Sequence, residues 1–144
     1  MHPASDDEFL RQFQDQSLPH DQWNHRAHLK VAYLHLIRFP FDEALHRMRT
    51  GIRAYNAVHG IADTPTGGYH ETMTQAWLQI VHTTLRQYGP AASADDFLDA
   101  QPQLTQKRIL RLFYSSGRMM SPEAKATFIL PDLAPLPQSL MPQE

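Results

Sequence analysis

Pro19, Pro40, Pro65 and Pro90 cut the first ninety residues into segments free of any other proline after Pro3. Proline lacks the backbone N–H and its ring clashes inside a helix, so any long helix must fit between these points. Each segment also carries apolar residues at helical spacing. Ser5-Asp6-Asp7-Glu8 matches a capping box, with Ser5 as N-cap and Glu8 at N3, and opens a short helix through about Gln16. Ser17-Leu18-Pro19 ends it. A second helix begins near Asp21 to Asn24 and runs to about Arg38. Its inward face is Leu29, Ala32, Tyr33, Leu36 and Ile37.

The third helix spans about Asp42 to Val58, with Phe41, Leu45, Met48, Ile52 and Tyr55 inward and Gly60 as its stop. A loop through Gly67-Gly68 leads to a fourth, from about Tyr69 to Tyr88, whose inner face is Met73, Trp77, Ile80, Val81 and Thr84. Ser93 starts a short helix, Pro102 separates it from another at about Leu104 to Tyr114, and Ser121-Pro122-Glu123 opens one more turn. The proline-rich tail, 131–144, should be extended, either packed through Leu133 and Leu136 or loose. No strand pattern or repeat is evident. The expectation is an all-α chain: a single small helical bundle over 1–144, three long antiparallel helices with shorter satellites.

Composition narrows the class. With 42% apolar and 10% aromatic residues the chain is not disordered throughout, and no window approaches 18 consecutive apolar residues, so no membrane span is expected. The acidic N-terminus lacks the apolar core of a secretory signal, and a cytoplasmic location follows as the default. The absence of cysteine removes disulfides, thiolate metal sites and a cysteine nucleophile. A net charge of −2 is too near zero to advertise nucleic-acid binding. Histidine, at nine residues, is abundant; each protonated ring adds one charge, so the nine together would carry the chain from −2 to +7 near neutrality.

Helical position sorts these histidines. His25 and His28 lie three apart in the opening turns of the second helix, and their rings share a face. His70 points inward in the first turn of the fourth. Up-down-up connectivity makes those two helices parallel, so all three histidines should meet at one end of the bundle. Three imidazoles with an open position suit a divalent metal, with zinc, iron and nickel not distinguished. Glu71 would then be the acid/base or a fourth ligand, with Trp23 and Tyr69 shaping the pocket mouth. On the third helix His46, Arg49, Arg53 and Asn56 form a polar stripe. Arg49 and Arg53 on it have the geometry to grip a carboxylate or phosphate, or else to pair with Asp42 or Glu43.

Plainer roles fit the same residues. His25 could satisfy a buried polar contact and His28 sit on a solvated rim. Glu71 fits N3 of a helix capped by Gly68, and His59 suits a helix C-terminus. His2 and His82 stand apart from the cluster. Met73 and Trp77 read as core.

Trp23-Asn24-His25-Arg26-Ala27-His28-Leu29 and Gly68-Tyr69-His70-Glu71-Thr72-Met73-Thr74, with Ile52 to Asn56 and Pro131 to Pro137, resemble a family of small bacterial helical proteins. That resemblance covers about Phe9 to Pro137 and implies no particular activity, substrate or cofactor. A looser similarity is to DinB-like helical bundles, which gather three histidines around a divalent metal. This chain departs from them in placing its paired histidines early and the single one later.

Three functions follow as expectations. The first is a metal-dependent enzyme of small-molecule metabolism, hydrolytic or oxygenase-like. The second is a non-catalytic module binding a small anion or other ligand, with Arg49, Arg53 and the Gly-Gly helix start as the anion grip. The third is an interaction protein whose tail docks on a partner or on a second copy as a homodimer.

Overall fold

Helix α2 (His25–Leu36) is packed against four other helices: α1 (Ala4–Gln14), α3 (Phe41–Val58), α4 (Glu71–Tyr88) and α5 (Ala94–Ala100). The computed structural model describes residues 4–138, and all their regular structure is helical. Two shorter helices, α6 (Ser116–Met119) and α7 (Pro122–Ala126), and 3-10 turns at His20–Gln22, Pro102–Thr105 and Lys107–Leu112 complete it. The chain is thus an all-α bundle of three long helices with satellites. Among the described residues, the buried apolar ones other than Ala27 form one contiguous cluster. No helix among the described residues is long and apolar enough to cross a membrane.

The central position of α2 overrides its one-faced pattern. Eight of its twelve residues are buried, including Val31, Leu34 and His35, which lie outside the Leu29–Ile37 stripe. His35 is 2% exposed. Its Nδ1–H donates to the Val31 carbonyl at 2.8 Å, and its ring meets Phe13 of α1 edge-on. Ile37, expected inward, is exposed just past the helix end.

Helix ends differ from the sequence reading where a tertiary partner decides. Because α1 already includes Ala4, Ser5 stands in its first turn and is not the N-cap. Asp6 is instead buried, and its carboxylate accepts the Ala94 N–H at 2.9 Å, tying α1 to the start of α5. Asn24 caps α2 by accepting the Ala27 N–H, Ser93 caps α5, and Ser121 caps α7 with Pro122 following. The expected helix over Leu104 to Tyr114 is replaced by the two 3-10 turns, and α6 has no counterpart in the sequence reading.

Two glycines are required by close approach. A Cβ on Gly51, mid-α3, would fall 2.6 Å from Cε2 of Phe13, so this glycine sets how near α1 lies to α3. Gly68 holds φ +86°, and a Cβ there would fall 2.8 Å from the Asp63 Cα. That tight loop delivers Tyr69 and His70 to the start of α4. The described part of the tail bends at 132–134 and is packed: Leu136 is buried, the Pro137 carbonyl accepts from Thr83 Oγ1 at 3.1 Å, and the Leu133 side chain stays exposed. The rest of the predicted tail, 139–144, and His2 lie outside the described residues.

Candidate ligand-binding cavity

His25, His28 and His70 do come together, on the wall of one cavity of about 500 Å³ at the starts of α2 and α4. Apolar side chains dominate it, among them Leu29, Met48, Met73 and Leu110. The chain has two tryptophans, and Trp23 and Trp77 both line this space. Each holds an imidazole. His28 stacks on Trp23 with ring centroids 3.8 Å apart, and His25 meets Trp77 edge-on at 4.7 Å. Phe13 stacks behind Trp23 at 5.1 Å, so the aromatic wall continues into the core.

Backbone carbonyls fix the tautomers of the histidine pair. A carbonyl only accepts, so the nitrogen beside it must carry the proton. His25 therefore bears its hydrogen on Nε2, which donates to the Leu104 carbonyl at 3.1 Å. His28 bears its hydrogen on Nδ1, which donates to the Asn24 carbonyl at 2.8 Å. Among the described residues nothing engages the remaining nitrogens, Nδ1 of His25 and Nε2 of His28. Burial pushes both imidazoles below their ordinary range, His28 to about 4, and keeps them neutral at pH 7.

His70 is arranged differently. It is the N-cap of α4, with extended backbone, and so precedes the first turn where the helical wheel put it. Its Nδ1 accepts the Met73 N–H at 3.0 Å, and its Nε2–H donates to the Met119 carbonyl at 2.8 Å. Both nitrogens are committed, and burial lowers its proton affinity as well. A metal held by all three histidines does not fit this donor set, because His70 has no lone pair to give. No group of three or more His, Asp or Glu side chains among the described residues is placed to hold a metal ion.

Glu71 sits at the first position of α4, not at the third turn position of a Gly68-capped helix. Its carboxylate takes a two-pronged contact from Arg49, Nε to Oε1 at 2.9 Å and Nη2 to Oε2 at 2.6 Å. Tyr69 Oη donates to the same Oε1 at 2.7 Å. The Arg49 guanidinium outweighs burial and lowers the Glu71 pKa, making it a weaker base than a free carboxylate. Burial, with the hydrogen bond to Glu71, pushes the Tyr69 hydroxyl up to about 12.

Tyr69 lines the cavity, while Glu71, Arg49 and Arg53 stand behind it, away from the lining. Arg53 covers the Tyr69 ring, its guanidinium 4.7 Å from the centroid. The expected pairing of an arginine with Glu43 is made by Arg47. His59 caps α3, stacks on Tyr55 and donates to the Gln16 carbonyl at 2.8 Å. Trp77 and Met73, read as core, are half-buried cavity residues; they share the inner face of α4 that follows His70. Lys107 and Leu110 arrive from the 3-10 turns and gave no sequence signal.

No protein-family model matches the chain, and neither a curated protein nor a solved structure matches it significantly.

Proposed function

We propose that the chain is a binding module for a small, largely apolar molecule, held between Trp23 and Trp77 over the His25–His28 pair. The observation that carries this reading is an apolar cavity of about 500 Å³ that holds both tryptophans and two imidazoles with an unengaged nitrogen each. Its size lies in the range of small-molecule sites, which are mostly apolar with a few placed polar groups. The arginines expected to grip an anion are spent on Glu71 and Tyr69, which favours a neutral ligand over a small anion.

Titration with 4-butylphenol and 4-butylanisole, read by tryptophan fluorescence excited at the red edge and by melting temperature, tests the reading. Binding of either, lost when Met73→Trp fills the cavity and calorimetry is the readout, supports it. Silence with both contradicts it. Stabilisation by zinc, iron(II) or nickel that disappears in His25→Ala/His28→Ala would instead favour the metal-dependent enzyme.

A further inference from the structure

The chemistry of the two open nitrogens says what kind of molecule the cavity takes, an inference that rests on the ligand-binding reading above. His25 spends its N–H on Leu104 and His28 spends its own on Asn24. What each has left is an sp² lone pair. Neutral imidazoles so fixed accept hydrogen bonds and cannot donate them into the cavity. The adjacent rings, Trp23 and Trp77, present flat apolar faces beside those acceptors, each with a single N–H donor at its edge. His70, the third histidine on the wall, adds no free donor, since its N–H is held by Met119. Tyr69 likewise directs its hydroxyl hydrogen to Glu71. The one cation on the lining, Lys107, is exposed, where water and salt screen it.

We infer that the cavity selects flat apolar molecules that donate a hydrogen bond, such as phenols, arylamines and N–H heterocycles, and discriminates against carboxylates. A phenolic O–H meets a lone pair at His25 or His28 while its ring lies on tryptophan. A methyl ether of the same shape leaves the acceptors unpaired and dehydrated. A carboxylate brings its own lone pairs against those of the imidazoles and loses its hydration as well.

The test is a ranking of three probes that share one apolar body: 4-butylphenol, 4-butylanisole and 4-butylbenzoate, titrated calorimetrically at pH 7.5. The expected result is phenol binding about tenfold tighter than either of the others, the scale of one net hydrogen bond. In His25→Phe/His28→Phe, which removes both acceptors, the phenol should lose its advantage while the ether keeps its affinity. Ether binding as tight as phenol, or benzoate tighter than both, overturns the inference and leaves the binding module standing. Binding of none of the three overturns both. If the double variant does not fold, the wild-type ranking decides.

Discussion

The imidazole of His70 donates from Nε2 to the carbonyl of Met119 at 2.8 Å, joining the start of α4 to the end of α6. The same ring caps α4 through Nδ1, so one neutral histidine supplies both a cap and a tertiary strut. His70→Ala removes both and should cost about 1–2 kcal/mol, measured by denaturant unfolding. His70→Asn should recover part of that loss through the cap alone. No change in His70→Ala would mean that water replaces both contacts.

Acid should destabilise the fold well before the carboxylates titrate. His25, His28, His35 and His70 all have their folded-state pKa lowered by burial. The unfolded chain binds more protons in that range, so stability is full above about pH 6.5 and falls as pH drops toward 4. His28 alone, held at about 4, should contribute on the order of 2 kcal/mol of loss by pH 5. Chemical denaturation at stepped pH should show this slope, shallower in His28→Phe. A flat profile between pH 7 and 5 would contradict the buried, neutral state of these rings. For these four histidines, the charge reversal that composition suggests near neutrality is displaced to lower pH.

Removing Arg49 strands a buried carboxylate. Glu71 is 7% exposed and is paired with Arg49. Arg49→Ala should cost roughly 2–3 kcal/mol, near the low end for a buried pair because Arg49 itself is partly exposed. Arg49→Met/Glu71→Leu should restore most of the loss. A double variant as unstable as the single would show that the pair fixes Tyr69 by more than charge neutralisation.

Gly51→Ala should push the Phe13 ring away from α3 and, through its stacking, disturb Trp23. The expected cost is about 1–3 kcal/mol, with a shifted tryptophan emission maximum as the local signature. Deleting 131–138 with the residues after it should also lower the melting temperature, because Leu136 is buried and Asp132 caps Ser115. An unchanged melting temperature would make the tail dispensable, as a pure docking segment would be.

The sequence made the three long helices legible because proline marks their limits and apolar spacing marks their faces. The meeting of His25, His28 and His70 was legible for the same reason, since connectivity puts the starts of α2 and α4 together. Periodicity failed where burial is not one-sided. His35 looks peripheral on a wheel, yet α1 covers that side of α2, a fact set by Phe13 and Gly51 on other elements. Ring-nitrogen commitments were hidden for a related reason. The partners of His25 and His70, Leu104 and Met119, lie 79 and 49 residues away, on turns too short to announce themselves. Naming His25, His28 and His70 from the sequence therefore could not tell a ligand set from a helix cap and two rings bonded to backbone carbonyls.

The most direct measurement is a long-range ¹H–¹⁵N spectrum of the imidazole nitrogens at pH 7.5, with and without 4-butylphenol. The structure predicts His25 protonated on Nε2 and His28 on Nδ1, with Nδ1 of His25 or Nε2 of His28 moving upfield as it accepts the phenol. Rings averaging freely between tautomers, and unchanged by the phenol, would contradict the account.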